Sequence, residues 1–330
     1  MIKAGLLGYG TIAKSHLKGY NELKAEGFPL QIAAYCDIRG ELLKDIKDAN
    51  TYTSIDEMLS KEKDLDYIDI CIPTFLHAEM AVKCMEAGLN VLCEKPMALN
   101  EAETAKMIEC KNRTKKKLMI AQCMRFLEPN KIIRQYIIDG TLGKPKTAFF
   151  IRPDGRPKGT WNNWYWDVNK SGGMILDLQI HDIDVINWMF GMPKAVSAAA
   201  TERHAGAGYE TVIANHIYED GLIVNTYADW TVEHNKYLKR CTRINFEHGY
   251  IFHIRSENLL AVVDEEGNEK NLMEGLTVKN MFRNEIEYFA SQIMQERDVR
   301  YCTPESSANG IKIVMAQIKS ADSGGALINL

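Results

Sequence analysis

The chain has 330 residues, 46% of them hydrophobic and 25% charged, with a formal net charge of −4. This is ordinary water-soluble composition, with enough length for two domains and an ample core. The slightly acidic balance argues against a nucleic-acid partner, which calls for a basic surface. No apolar stretch is long enough to span a bilayer, so no membrane partner is expected, and the N-terminal run Met1–Gly8 is interrupted too early for a signal peptide. The eight cysteines include no Cys-x-x-Cys, and Cys36, Cys71, Cys93 and Cys123 lie inside apolar runs, where a free thiol behaves as a small hydrophobe. A reducing, cytoplasmic setting is expected rather than a disulfide framework.

In chain order, a strand is predicted over residues 2–7 and a helix from about residue 12. Strands follow at 31–36, 67–72, 89–93 and 118–123, with helices at 78–87 and 101–110. These strands are short and continuously apolar, the pattern of parallel strands covered on both faces, and their alternation with helices predicts a doubly wound α/β domain. The basic cluster Lys111-Asn-Arg113-Thr-Lys115-Lys116-Lys117 reads as a solvated helix end whose charges complement the negative pole of the helix dipole. Beyond about residue 124 the texture changes. A helix is predicted over 128–139, stopping at Gly140, and a second over 174–190, stopping before Gly191 and Pro193. Strands then dominate, at 195–200, 212–218, 222–230, 243–247 and 259–263, with turns at 219–221 and 265–268. Strands joined by tight turns predict a mostly antiparallel sheet. Helices at 280–296 and 305–320 close the chain, and no internal repeat is evident.

Gly8-Tyr9-Gly10-Thr11-Ile12-Ala13 follows the first strand and opens the first helix. The first glycine allows the tight turn, the second lets the backbone approach a pyrophosphate, and Ala13 keeps helix and strand close. The helix start then offers free N–H groups to phosphate. Asp37 ends the second strand, where an acid can bind the adenosine ribose and favour NAD. Arg39 either pairs with the 2′-phosphate of NADP, softening that preference, or is a solvated loop side chain. In open α/β sheets ligands lie beyond the carboxyl ends of the strands. Pro73, Thr74 and His77 fall there after the strand at 67–72, with His77 alternatively bonding the helix start. Glu94, Lys95 and Pro96 fall there after the next strand, and a lysine held by a following proline can be aimed inward.

A second constellation is Gly172-Gly173-Met-Ile-Leu-Asp177-Leu-Gln-Ile-His181-Asp182-Ile-Asp184. On a helix, positions four apart share a face, so Asp177 and His181 form either an acid/base pair or a structural one. Asp184 lies one turn further along the same face. His181-Asp182 also suits a metal-dependent phosphohydrolase, but the other seven histidines supply no obvious ligand set, and no metal is expected. Trp161-Asn-Asn-Trp164-Tyr-Trp166, just upstream, reads equally as a sugar-facing loop or as packing.

Taken together, Gly8-x-Gly10-x-x-Ala13, Asp37, Pro73-x-x-x-His77, Glu94-Lys95-Pro96 and Gly172-Gly173-x-x-x-Asp177-x-x-x-His181-x-x-Asp184 resemble the glucose-fructose oxidoreductase / inositol dehydrogenase / MocA family of NAD(P)-dependent oxidoreductases. The motifs fall in family order over residues 1 to about 185. Ser171 stands where many members carry a third glycine, and Met124-Arg125-Phe126 matches the family's Arg-Phe segment only loosely. The resemblance implies an NAD(P)-binding Rossmann domain over 1–123, then a substrate-binding and oligomerisation α/β domain over 124–330 with an open, mostly antiparallel sheet. It implies a homo-oligomer, dimer or tetramer, through that sheet. It also implies that Lys95, Asp177 and His181 meet at the nicotinamide, with Arg125 and Trp164 as weaker substrate contacts, and that a secondary alcohol of a sugar or cyclitol is oxidised. On this reading His181 is the general acid/base, Lys95 stabilises charge on the reacting oxygen, and Asp177 orients a hydroxyl or the imidazole. Two other functions share the pattern: NAD used for a transient oxidation inside another reaction, and a cofactor-binding regulator without chemistry.

Overall fold

The computed structural model describes residues 1–230 and 238–330. It begins with β1 (Ile2–Leu7), α1 (Thr11–Ala25) and β2 (Leu30–Cys36), continues through β3 (Asn50–Tyr52), α2 (Ile55–Lys61), β4 (Tyr67–Ile70), α3 (His77–Glu86) and β5 (Asn90–Glu94), and reaches α4 (Glu101–Thr114) and β6 (Leu118–Ala121). The six strands pair in parallel in the order β3-β2-β1-β4-β5-β6. That order reverses between β1 and β4, which is where a doubly wound sheet opens a crevice for a dinucleotide. All four residues of β4 are buried, as helices on both faces require. The short β3 and α2 escape sequence reading because each buries a single residue, Tyr52 and Met58. The basic cluster does cap a helix: Lys111 pairs with Glu305 and Arg113 with Glu86 in the last turn of α4, and Lys115 ends it in the left-handed region.

The chain divides into two units, and the first is not continuous in sequence. It comprises Met1–Phe126 and Lys279–Ala308, and the second Leu127–Val278 and Asn309–Leu330. The single boundary expected near residue 124 therefore omits a return of the chain. Helix α8 (Met281–Met294) belongs to the first unit. Its Ile286, Phe289 and Ala290 are fully buried in a core with Tyr20, Leu23, Tyr67 and Leu92. Each large side chain so buried contributes about 1.5–3 kcal/mol. Gly19 on α1 makes the fit possible: a Cβ there would lie 2.9 Å from the backbone nitrogen of Arg283, so the two helices touch main chain to main chain. Sequence periodicity finds α8 but cannot say which sheet its apolar face covers.

The second unit holds α5 (Glu128–Asp139), β7 (Pro145–Pro153), α6 (Val168–Ser171) and α7 (Ile180–Phe190). After these come β8 (Ala195–Thr201), β9 (Thr211–Ile217), β10 (Ile223–Asp229), β11 (Cys241–Phe246), β12 (Gly249–Ile254), β13 (Leu259–Asp264), β14 (Glu269–Asn271) and β15 (Ile328–Asn329). Helix α9 (Pro304–Asp322) begins in the first unit and ends in the second. Among the described residues the sheet has nine strands in the order β14-β13-β12-β11-β7-β10-β9-β8-β15, antiparallel except at β7–β10. The mostly antiparallel expectation holds, yet its middle strand, β7, was not predicted. There Ala148, Phe150 and Arg152 point inward while Phe149 is 43% exposed. A buried arginine on the inner face and an exposed phenylalanine on the outer one invert the pattern that sequence reading relies on. The helix expected over 174–190 is also two elements, a π-helical turn over Ile175–Gln179 running into α7. Among the described residues no helix is long and apolar enough to cross a membrane.

Candidate active site

Gly8 sits at the tip of β1 with φ +93°, and a Cβ there would lie 2.4 Å from the Cys71 carbonyl oxygen, so only glycine fits. Gly10 is different. Its φ of −81° suits any residue, and an added Cβ would meet nothing within 4 Å. Neither backbone conformation nor protein packing demands glycine there, and the space it leaves lies directly before α1. That helix starts with no side-chain cap and no acid in its first turn, so its leading N–H groups and positive end are uncompensated. Thr11 is exposed, Ile12 half-buried, and Ala13 fully buried against β1. These features fit a bound pyrophosphate.

Asp37 lies beside this turn and is bonded at both oxygens. Oδ2 accepts from the Tyr9 amide at 2.8 Å and an Arg39 Nη at 3.1 Å; Oδ1 accepts from the Arg39 amide at 2.9 Å and Nε at 3.1 Å. Burial opposes ionisation, but the Arg39 and Tyr9 hydrogen bonds outweigh it and hold the carboxyl below its ordinary range. Pro73 is half-buried and Thr74 buried. The buried His77 ring places Nδ1 2.8 Å from the Pro96 carbonyl and Nε2 2.9 Å from that of Ile72. A neutral ring donates to one of these two carbonyls, so it ties α3 to the chain beyond β4 or β5. Burial, the dominant influence, holds its pKa below the usual histidine value.

Lys95 follows β5, half-buried, with a cis peptide to Pro96. Its amide donates to Glu94 Oε2 at 2.9 Å. Glu94 Oε1 stands 2.8 Å from His16 Nε2, and His16 Nδ1 stands 2.8 Å from Asp69 Oδ2. Tyr20 donates to the same Asp69 oxygen at 3.0 Å, and Glu285 from α8 approaches His16 Nε2 at 3.9 Å. Burial alone would lower the His16 pKa, but the Asp69 charge and its hydrogen bond carry it well above the ordinary value. His16 is therefore an imidazolium clamped between two carboxylates. Burial pushes the Glu285 carboxyl well above the ordinary carboxylate range. Both ring nitrogens of His16 are spent on carboxylates, so the cluster is a hydrogen-bonded support beneath Lys95.

In the second unit, Gly172 ends α6 in the left-handed region, and a Cβ there would strike the Leu176 side chain at 2.2 Å. Gly173 also has positive φ, and Ser171 Oγ accepts its amide at 3.1 Å. The two glycines thus let the chain turn straight into the π-helical segment. Asp177 lies inside that segment, 6% exposed, and His181 is half-buried in the first turn of α7. A π turn widens the helix locally and recurs at functional positions. Asp182 turns to the sheet instead: Arg152 from β7 grips it through Nε at 2.8 Å and an Nη at 2.5 Å, both side chains buried. That carboxylate is committed to fixing α7 on the sheet. Asp184 is 1% exposed.

A model described as an oxidoreductase family with an NAD-binding Rossmann fold matches residues 2–122, and a GFO/IDH/MocA C-terminal domain model matches residues 131–252. The chain belongs to the GFO/IDH/MocA family. The myo-inositol 2-dehydrogenase of Thermotoga maritima is 26% identical over 194 residues, covering 58% of this chain and 55% of its own. The inositol 2-dehydrogenase of Rhizobium meliloti is 28% identical over 207 residues, covering 60% and 58%. A 2,7-anhydro-N-acetylneuraminate hydratase of Mediterraneibacter gnavus is 28% identical over 159 residues, covering 48% and 42%. The chain thus spans a little over half the length of the first two relatives. Among solved structures, an Agrobacterium radiobacter oxidoreductase in complex with NAD+, L-tartaric acid and magnesium superimposes with a TM-score of 0.87 at 16% identity, over 99% of this chain and 98% of that one. Levoglucosan dehydrogenase, in complex with NADH and levoglucosan, gives 0.87 at 18% identity, over 99% of each chain. At such identities the likeness speaks for the fold.

In this GFO/IDH/MocA chain the first unit is the NAD-binding Rossmann fold and NAD is the cofactor. Arg125, expected near substrate, is buried in that unit, where it donates to Ser306 Oγ at 2.7 Å and its carbonyl accepts from Tyr301. Trp164 is half-buried and stacked on Tyr165 at 3.9 Å. The Trp166 ring lies 4.1 Å from the Arg156 guanidinium, itself paired with buried Glu210. Sequence reading missed His16 with its partners Asp69 and Glu285, Arg152, and Arg156 with its partner Glu210. A signal existed for the first, because Asp69 is an acid inside a continuously buried strand and a buried charge needs a partner. None existed for the arginines, whose partners are 30 or more residues away.

Proposed function

We propose that this protein is an NAD-dependent oxidoreductase that exchanges a hydride with a secondary alcohol of a sugar, cyclitol or related polyol. The observation that carries the reading is the open, uncapped start of α1 at Gly10, next to Asp37 and in the same unit as a lysine whose backbone is anchored by Glu94. Gly8, Gly10, Thr11, Ile12 and Ala13 would hold the pyrophosphate, Asp37 and Arg39 the adenosine ribose, and Pro73, Thr74, His77, Glu94, Lys95 and Pro96 the chain segments bordering the nicotinamide. When bound, the nicotinamide supplies the hydride acceptor. Lys95 donates a hydrogen bond to the reacting oxygen and stabilises negative charge on it. His181 takes the alcohol proton on a ring nitrogen, and Asp177 orients a substrate hydroxyl or the imidazole. The inositol dehydrogenases among the relatives support a polyol substrate, and Trp164 is a candidate wall for it.

A second reading, transient oxidation within an elimination or hydration, is favoured by the hydratase among the relatives. Absorbance of reduced nicotinamide, followed while inositols, aldoses and their acids are offered with NAD and NADP, separates the cases. Net reduction is the expected result. Product formation without net reduction supports the second reading, and cofactor binding with neither outcome sinks both.

We further infer a homo-oligomer through the outer face of the second unit's sheet. Phe149, Ile213 and Ile223 point outward from the neighbouring strands β7, β9 and β10, exposed by 43, 51 and 45%. The exposed Asn225–Asn215 pair lies between Ile223 and Ile213 on this face, and several exposed apolar side chains on one sheet face suit an interaction surface. Light scattering is expected to give a dimer or tetramer, and a strict monomer would remove the inference. The eight thiols, all free, suit the reducing cytoplasm.

A further inference from the structure

Positions 177 and 181 share one helix face, and positions 179 and 182 fall on the opposite one. The second face is the anchored one. Asp182 is gripped there by Arg152 of β7. Gln179, fully buried at the end of the π turn, donates from Nε2 to Thr226 Oγ1 on β10 at 2.8 Å. Thr226 aligns with Phe150 of β7, two residues before Arg152. The two anchors thus stand on neighbouring strands, about 7 Å apart along the sheet. Three residues of helix rise about 4.5 Å between them. The segment is therefore pinned on both sides of His181, and Asp177 lies two residues before the first pin.

Behind the first pin stands a buried polar network. Thr226 Oγ1 lies 3.5 Å from His216 Nε2 on β9, and Gln317 Nε2 on α9 donates to that ring nitrogen at 3.0 Å. Burial lowers the His216 pKa to about 4, so the ring is neutral, with Nε2 accepting and the proton on Nδ1. All four side chains are fully buried. Yet His216 Nδ1, Gln179 Oε1 and Gln317 Oε1 have no hydrogen-bond partner among the described residues. Each unmet buried group destabilises the fold, and apolar side chains of similar size would fill the same space without that cost. Stability therefore gives no reason for this set of residues. We propose that Gln179 is a positioning residue: backed by Thr226, His216 and Gln317, it holds the π turn in the register that presents Asp177 and His181 together to the substrate. The role rests on the reading of those two residues as the reacting groups. It places no atom of Gln179 on substrate or cofactor.

The test compares the whole chain as wild type, Gln179→Met, Thr226→Val, Thr226→Ser and the double variant Gln179→Met/Thr226→Val. Hydrogen exchange by mass spectrometry needs no substrate. Residues 175–181 are expected to exchange several-fold faster in Gln179→Met and in Thr226→Val, whereas Thr226→Ser keeps the hydroxyl and should match wild type. Turnover of the polyol found by cofactor reduction is the second readout. Its kcat is expected to fall about 10- to 100-fold in the same two variants, the scale of a misplacement of about 1 Å, and to be retained in Thr226→Ser. NADH binding should stay close to wild type, since the NAD-binding fold is the first unit. The double variant should lose no more kcat than either single one, because both break the same bond. Its urea midpoint should lie at or above that of wild type, because donor and acceptor leave together. Unchanged exchange over residues 175–181 overturns the proposal, whatever the substrate. Faster exchange with wild-type kcat overturns it, as does a double variant whose loss of kcat is the product of the two single losses. A wild type that turns over no polyol, with exchange faster as expected, sinks the dehydrogenase reading and upholds the pin.

Discussion

Lys95→Ala is expected to bind NADH close to wild-type strength while its turnover falls by about two to four orders of magnitude, the range for losing a proton-transfer partner or a donor to developing charge. The substitution leaves the backbone anchors around residue 95 intact. The bond from Glu94 Oε2 goes to the backbone amide of residue 95, not to its side chain, so the turn beyond β5 keeps its anchor. The His77 ring, 2.8 Å from the Pro96 carbonyl, is likewise untouched. What is lost is the side chain beyond Cβ, with its ammonium. His181→Ala should show the same separation of binding from turnover, because His181 lies at the start of α7 while Asp182, its neighbour, keeps α7 fixed through Arg152. Steady-state rates with a substrate identified by the screen, set beside fluorescence titrations of NADH, give the answer. Near-wild-type turnover in both variants would remove Lys95 and His181 from the chemistry, and a parallel loss of cofactor binding would recast them as structural.

The second large effect is on stability. His16→Ala should cost about 3–5 kcal/mol, the range for removing one partner of a buried ion pair. Asp69 and Glu94 would then face one another without the cation that separates them, and Tyr20 and the Lys95 amide cannot neutralise either. Urea denaturation of both proteins measures it. The pH dependence follows from linkage. His16 has a raised pKa in the folded state, so its contribution is complete below the unfolded value of about 6.5 and is lost as the pH climbs through the folded value. Glu285, also raised by burial, likewise holds its proton more tightly in the folded state. The wild-type advantage over His16→Ala should thus be largest in mildly acidic solution and shrink toward alkaline pH. An advantage that grew with pH would contradict the imidazolium assignment.

Much of the first unit was legible because parallel strands announce themselves as short apolar runs, and Gly8 and Asp37 sit at turns that only certain residues tolerate. The second unit was legible where inside and outside alternate cleanly, as in β9 and β10, and opaque where they do not. β7 carries an arginine inward because Asp182 awaits it from α7, a pairing that no local window contains. The π turn at Asp177 was hidden for a related reason. Sequence spacing of four is compatible with both α and π geometry, and only the Leu176 side chain packed against Gly172 shows how tightly the segment is entered. For the candidate site, residue types at strand ends could be read directly. The support under Lys95 could not, since His16, Asp69, Glu94 and Glu285 come from four separate elements.

The route by which Glu285 arrives bears on synthesis. The ribosome makes the six strands of the Rossmann sheet first, but Phe289 and Ile286, which share a core with Tyr67 and Leu92, emerge only after β7 to β14 of the second sheet have been translated. A nascent chain ending near Phe126 has the parallel sheet without its lid, and with His16 between two carboxylates on an open face. The cofactor domain is thus the first to begin yet waits for most of the second unit to be synthesised, and the second unit in turn waits for residues 309–330 and their strand β15.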